Sequence, residues 1–382
     1  MNRGPGRARI VVDGRLLHYN RTGIGRYLRH LYRAIGDLEG QSGLPPTVSR
    51  PREQITVLYS RRDTRRPLQD CLPRSAVAWT PGHHPQERWA LALEGARLRP
   101  RLWHAPDHVC PQPLGWRTVL TVHDLAFWRL PESHSAPSRA YYAGLRRSAH
   151  QATRIICVSQ ATRHDLLEAT GIPEDRVRVV PEAPDPRYMQ PPAAASFPDP
   201  VKAGRPYLLC VGTIEHRKNL PAVFRALARL PRAERPELRV VGAPGLDATA
   251  IQALPARLGL NGDVRFLGPR PTDELVTLYA GALALVYPSL LEGFGLPVLE
   301  AMAAGAPVVA SNRSSVPEVA GDAAILVDPE DDPSIAAALE RVVTSSALRD
   351  DLRARGRARA ARFSWERTAR RTLDVFAEAI QS

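Results

Sequence analysis

Cysteine is scarce and scattered in this chain. The four residues, Cys71, Cys110, Cys157 and Cys210, stand far apart with no metal-ligand spacing, which excludes a zinc module and argues against a disulfide framework. Cys157 and Cys210 lie inside apolar runs and read as small buried hydrophobes. Aromatic residues make up only 6%, and no aromatic-and-basic stripe offers a nucleic-acid platform, so no nucleic-acid partner is expected. No apolar run reaches the ~18 residues of a membrane span. The longest, residues 280–291, reads as a buried strand with its flanks. The basic stretch 1–9 lacks the apolar segment of a signal peptide, so a cytoplasmic location is expected.

What the chain does have is length, charge and alternation. At roughly 100–200 residues per domain, its 382 residues predict two domains. Lys and Arg number 52 against 39 Asp and Glu, a net charge of +13. That balance points either to an anionic partner, including peripheral contact with an anionic membrane at its inner face, or to an Arg-rich solvated surface. Short β-branched runs at 10–12, 55–59, 102–104, 118–122, 154–158 and 177–180 alternate with amphipathic segments. A second set follows at 207–211, 238–241, 264–267, 282–287, 307–310 and 324–327. Continuous apolar strands between helices predict an α/β fold with parallel, doubly wound sheets. Residues 184–206 contain seven prolines, which cannot build an interior helix or central strand. The expected organisation is therefore a first Rossmann-like domain over 1–186, a Pro-rich linker over 187–206 and a second domain over 207–362. A final helix over 363–382 is expected to pack back on the first domain. Open α/β sheets bind ligands at the carboxyl ends of their strands.

The densest chemistry lies in Glu292-Gly-Phe-Gly-Leu-Pro-Val-Leu-Glu300. A strand ends near Tyr287, a glycine loop follows, and Pro297 suits the first turn of a short helix that Gly305 ends. The backbone N–H groups of Phe294, Gly295 and Leu296 are expected to point outward at the helix entrance, where anions and hydroxyl oxygens bind. Glu292 precedes the entrance, and Glu300 is expected on the first turn. Carboxylates accept paired bonds from vicinal hydroxyls, as ribose and hexose present. The bland reading is two solvated acids complementing a helix dipole; the glycine loop between them favours a site.

A second piece, Val211-Gly-Thr-Ile-Glu-His-Arg-Lys-Asn219, follows another strand. Gly212 starts a turn, and Arg217 and Lys218 arrive where the next helix begins, the end at which a dipole disfavours cations. A bound diphosphate would resolve that misfit. An ordinary exposed Arg–Lys pair is the alternative.

These stretches, with Phe266-Leu-Gly268, Gly305-Ala-Pro-Val-Val-Ala-Ser311 and Pro317-Glu-Val-Ala-Gly-Asp-Ala-Ala324, resemble the family 4 glycosyltransferases, in the bacterial mannosyltransferase-like variant. The resemblance implies a retaining enzyme of the GT-B fold, two doubly wound Rossmann-like domains facing each other across a cleft. It implies Glu300 on the donor ribose, Glu292 on the transferred sugar, and the backbone of Phe294, Gly295 and Leu296 on sugar hydroxyls and phosphate. Arg217 and Lys218 would neutralise the departing diphosphate, with Gly212 and Thr213 beside the donor. Thr213 stands where relatives commonly carry a basic residue.

In the first half, Thr22-Gly-Ile-Gly-Arg-Tyr27 reads as a glycine turn opening a helix, with Gly23 and Gly25 able to approach phosphate. A dinucleotide fingerprint fails, because Leu28 stands where a third glycine is needed. His123, in Thr121-Val-His-Asp-Leu125, sits at a strand's carboxyl end; the residues alone leave a structural histidine open. The resemblance implies a place near the anomeric centre. The segment Val177-Arg-Val-Val-Pro-Glu182 departs from relatives, which commonly show Asn-Gly where this chain has Glu182-Ala183.

The reaction so implied transfers a hexose from a nucleoside diphosphate sugar, GDP-mannose favoured, to a hydroxyl of a glycan or lipid-linked glycan. The donor is a substrate, and no cofactor or metal is expected, since no acidic metal motif appears. Rival readings are a nucleotide-sugar epimerase of the same fold and a catalytically silent binding subunit.

Overall fold

The computed structural model describes residues 9–19, 23–82, 84, 86–190 and 205–382. The start of the glycine turn, 20–22, and most of the Pro-rich linker, 191–204, lie outside the described residues. The chain forms two compact units. One holds the described residues of 1–125, 136–182 and 364–382; the other holds those of 126–135 and 183–363.

The first unit is built on strands β1 (Ile10–Asp13), β2 (Ile55–Ser60), β3 (Ser75–Ala78), β4 (Leu102–Ala105), β5 (Arg117–Val122), β6 (Arg154–Cys157) and β7 (Val177–Val179). They form one parallel sheet in the order β3-β2-β1-β4-β5-β6-β7. The strand β3 was not legible in the sequence, because Ser-Ala-Val-Ala is short and, as the sheet's edge, only partly buried. The amphipathic helix Gly23–Asp37 buries Tyr27, Leu28, Leu31, Tyr32 and Ile35, and the chain's last helix, Trp365–Gln381, packs beside it. Phe376 of that last helix meets His104 on β4, and Glu378 pairs with Arg178 on β7.

The second unit carries β8 (Tyr207–Val211), β9 (Glu237–Val241), β10 (Val264–Phe266), β11 (Ala284–Tyr287), β12 (Val308–Ser311) and β13 (Ile325–Val327). The order β10-β9-β8-β11-β12-β13 is again parallel throughout. Both sheets are doubly wound, and their strand orders reverse between β1 and β4 and between β8 and β11. Leu208, Cys210, Phe224, Leu227, Val240, Val286, Val309 and Leu339 fill one core of the second sheet. The helix Ser346–Ala360 stays in this unit, with Gly356 close against Met302. Among the described residues, no helix is long and apolar enough to cross a membrane.

One buried ion pair breaks the apolar reading of β9. Arg239 is fully buried, donates to Glu237 at 2.7 Å and lies 3.7 Å over the Tyr207 ring. Residues two apart share a strand face, so the pair occupies one face that the surrounding apolar sequence conceals.

Candidate active site

In an open parallel sheet a ligand crevice forms where the strand order reverses, because the loops on either side diverge. In the second unit that place lies outside the ends of β8 and β11, and both motif stretches begin there.

After β8 the backbone turns at Gly212, whose φ of +146° suits glycine. The loops after β8 and β9 touch back to back: a Cβ on Gly242 would stand 1.8 Å from the Gly212 carbonyl oxygen. Thr213 is exposed in the loop. His216–Lys218 then forms a single 3₁₀ turn that ends at Asn219, a non-glycine residue at φ +54°. The Asn219 amide donates to the carbonyls of Pro329 (2.6 Å) and Pro288 (3.3 Å), holding that conformation and tying the loop to its neighbours. The helix Leu220–Arg229 starts there, with Pro221 in its first turn.

The second loop crosses over this turn. Leu290 N–H donates to the Arg217 carbonyl at 2.9 Å, and the Arg217 guanidinium donates to the Leu291 carbonyl at 3.1 Å. Glu292 is buried between two cations: its carboxylate accepts from Lys218 Nζ at 2.6 Å and from Arg217 at 2.9 Å. Arg217 also pairs with Glu215 at 2.9 Å, and Lys218 donates to the Tyr287 hydroxyl at 2.8 Å. The misfit expected of cations at a helix start is thus compensated by two carboxylates from within the protein. Burial alone would raise the Glu292 carboxyl, but Lys218 and Arg217 overcome it and hold it at about 2. Burial pushes the Lys218 ammonium down, Arg217 pushes it further, and Glu292 opposes both.

The main chain of Glu292 is clamped as well. The Ser314 hydroxyl donates to the Glu292 carbonyl at 2.6 Å and accepts from its N–H at 3.3 Å, while the Ser315 hydroxyl adds a bond of 2.9 Å to the same carbonyl. Ser314 takes φ +58°, a strained setting for serine that functional loops tolerate.

Gly295, at φ +97°, caps the helix Leu296–Ala304, and Gly305 ends it at φ +82°. Among the described residues, the N–H groups of Phe294, Gly295 and Leu296 donate to no protein acceptor, so the entrance presents them as donors. Glu300 is not on the first turn, as expected, but is the helix's fifth residue, because the helix starts at Leu296. It is 2% exposed and accepts from the Tyr279 hydroxyl at 3.2 Å.

In the first unit, His123 follows β5. Its Nδ1 lies 2.9 Å from Glu182 Oε1, and its Nε2 donates to the Pro106 carbonyl at 3.0 Å. Tyr27 meets the ring edge-on, with centroids 4.7 Å apart. Gly23 is the first residue of the Gly23–Asp37 helix, at φ +42°, and Gly25 is buried two residues on. Tyr27 therefore links that helix to His123.

The second unit thus brings Gly212, Thr213, Arg217, Lys218, Glu292, Phe294, Gly295, Leu296 and Glu300 around one reversal of strand order. In the first unit Gly23 and Gly25 open the helix whose Tyr27 packs against His123. Sequence reasoning did not find Asn219, Ser314, Ser315, Tyr279 or Tyr287, which hold the charged residues. Among the described residues, no three His, Cys, Asp or Glu side chains converge as metal ligands.

Glu292 gives the fold a definite acid limb. Its folded value lies below the unfolded one near 4.5, so the stability it contributes is complete above pH ~4.5 and is lost as pH falls toward about 2. The loss should amount to roughly 3 kcal/mol. Chemical denaturation at stepped pH checks this: Glu292→Gln should flatten the limb between about pH 4.5 and about 2, and an unchanged limb would contradict the pairing.

Two family models cover most of the chain: "Glycosyltransferase Family 4" matches residues 21–188 and "Glycosyl transferases group 1" matches residues 194–359. The chain is 31% identical to the O-antigen chain mannosyltransferase B of Escherichia coli, over 96% of this chain and 99% of that protein. It is 30% identical to the MMP alpha-(1->4)-mannosyltransferase of Mycolicibacterium hassiacum, over 94% and 95%. The solved sucrose-phosphate synthase of Thermosynechococcus elongatus shares its fold with a TM-score of 0.73 at 20% identity, covering 97% of this chain and 99% of that one. The chain belongs to the family 4 glycosyltransferases, in the bacterial mannosyltransferase-like group, and has the GT-B fold of two Rossmann-like domains.

Proposed function

We propose that this glycosyltransferase moves a hexose, mannose favoured, from a nucleoside diphosphate sugar to a hydroxyl of a glycan or lipid-linked glycan, with retention of anomeric configuration. The observation that carries the reading is the cluster of Arg217, Lys218 and Glu292 in the loops after β8 and β11, the second of which runs on to three N–H groups that donate to no protein acceptor among the described residues. Negative charge develops on the departing phosphate in the transition state, and fixed cations and N–H dipoles stabilise it without reorganising. Glu300 takes the ribose hydroxyls, while Glu292 and His123 contact the transferred sugar. The leaving phosphate accepts the proton of the incoming hydroxyl, and the guanidinium and ammonium do the charge work of a metal. Two relatives matched over nearly their whole length carry mannosyltransferase names, which favours mannose; GDP as its carrier follows from the family resemblance.

Incubation with GDP-mannose and a mannan oligosaccharide in EDTA tests the reading. Acceptor-dependent nucleotide release with an α-linked product, read by NMR, is expected. Epimerised donor without acceptor, an inverted linkage or loss of activity in EDTA would contradict it.

The same reading includes peripheral contact with an anionic membrane. The edge of the first sheet carries Trp79 (65% exposed) just past β3. The helix Glu87–Ala96 carries Trp89 and Leu93 (59% and 67% exposed) four residues apart on one face. Glu94 accepts from the Trp79 N–H at 2.8 Å, which brings strand end and helix together. The Arg61 and Arg88 guanidiniums lie 5.5 and 5.9 Å from the Trp79 and Trp89 rings. Indole rings with basic neighbours suit the headgroup layer of an anionic bilayer. Vesicles of equal phosphatidylglycerol and phosphatidylcholine should co-sediment the protein at low salt. The Trp79→Ser/Trp89→Ser variant should lose most of that binding; unchanged binding would exclude this face.

A further inference from the structure

We infer that Glu182 is a positioning residue that holds the His123 ring as a double hydrogen-bond donor, so that His123 serves as a fixed, oriented cation and not as a base. Its consequence for turnover rests on the proposed contact of His123 with the transferred sugar; the state of the ring does not.

The two partners of the imidazole decide the matter. A carbonyl oxygen can only accept, so Nε2, 3.0 Å from Pro106, carries a proton. Nδ1 lies 2.9 Å from a carboxylate oxygen, and a bare nitrogen lone pair facing a carboxylate would be repelled. The arrangement is satisfied with a proton on each nitrogen and the negative charge on Glu182. No lone pair is then left to take a proton from substrate.

The surroundings fix this geometry. The side chains of His123 and Glu182 are 15% and 6% exposed. Tyr27 holds the ring edge-on from the Gly23–Asp37 helix. Glu182 follows β7 and Pro181, whose carbonyl accepts from the Thr368 hydroxyl on the last helix at 2.8 Å. The other titratable groups around the ring are Tyr27, His104 and Asp107. Burial, reinforced by His123, pushes His104 down to about 3 and leaves it neutral, and burial pushes the Tyr27 phenol up. Asp107 is paired with His108. Glu182 is thus the carboxylate in contact with the ring, and it occupies a position where relatives commonly carry Asn, which could not balance a charge.

Nitrogen-15 NMR of the histidine side chains, with His123→Gln for assignment, reads the ring directly and needs no substrate. The wild type should show both His123 nitrogens protonated at pH 7, and Glu182→Gln should show a neutral ring with a proton on Nε2. In the transfer assay Glu182→Gln should lower kcat about 10- to 100-fold, the scale of losing the partner that orients a functional histidine. Its donor KM should stay within about twofold, since Glu182 is given no contact of its own with the donor. Glu182→Asp, which keeps a carboxylate for Nδ1, should recover part of kcat. A neutral His123 in the wild type would overturn the inference, as would a folded Glu182→Gln protein with wild-type kcat and an unchanged ring. A doubly protonated ring in a protein that transfers no sugar would support the inference while defeating the proposed function.

Discussion

Replacing Arg217 and Lys218 together with alanine should cost the protein both turnover and stability. On turnover, the loss removes the cations proposed to meet the departing phosphate, on the order of 10²–10³-fold for groups of this kind. On stability, the structure changes what the sequence suggested. The sequence presented the pair as cations awaiting a diphosphate, so that their removal should lower turnover more than folding stability. In the fold both cations neutralise Glu292, which is 7% exposed and which they hold at about 2. Stripping a buried carboxylate of its partners costs about 3–5 kcal/mol. Adding Glu292→Gln to the double variant removes the stranded charge, so the triple variant should regain most of the stability while remaining inactive. Chemical denaturation and steady-state transfer on the three proteins separate the effects. A double variant with normal turnover would remove the leaving-group role, and a triple variant no more stable than the double would contradict the buried pairing.

The second large effect concerns Glu300. Glu300→Ala should weaken nucleoside diphosphate binding by about 1.5–3 kcal/mol, the scale of charge-assisted hydrogen bonds, or roughly 10- to 150-fold in Kd. Its burial adds a structural term, because the fully buried Tyr279 hydroxyl donates to it. Leaving a buried hydroxyl without that acceptor costs about 1–3 kcal/mol of stability. Glu300→Gln keeps an acceptor oxygen for Tyr279 and should therefore stay near wild-type stability while still losing nucleotide affinity. Calorimetric titration with the nucleotide reads the first effect, and thermal unfolding reads the second. Unchanged nucleotide affinity in both variants would end the ribose assignment.

The reach of the sequence follows from which interactions are local. The parallel sheets were legible because strands buried on both faces spell continuous apolar runs, and the glycine-framed helix entrance was legible because Gly295, Pro297 and Gly305 act within a few residues of themselves. The strand β3 was hidden by its edge position, and the Glu237–Arg239 pair by a strand pattern that ordinarily excludes charge. Asn219 and Ser314 look like ordinary loop residues. Their roles depend on positive φ and on carbonyls supplied from loops far away in sequence, such as Pro329 for Asn219 and Glu292 for Ser314. The contact of His123 with Glu182 spans 59 positions. The sequence marked both residues, one for its place at a strand end and one for departing from its relatives, but no periodicity could join them.

The central claim is that the reversal between β8 and β11 holds a nucleoside diphosphate sugar. Calorimetric titration of the wild type and of Glu300→Ala with GDP, UDP, ADP and their mannose or glucose conjugates tests it most directly. The account predicts that the wild type binds one nucleotide series, GDP and GDP-mannose favoured, and that the same ligands bind Glu300→Ala at least about tenfold more weakly. A wild type that binds none of these ligands, or binds them no better than Glu300→Ala does, would contradict it.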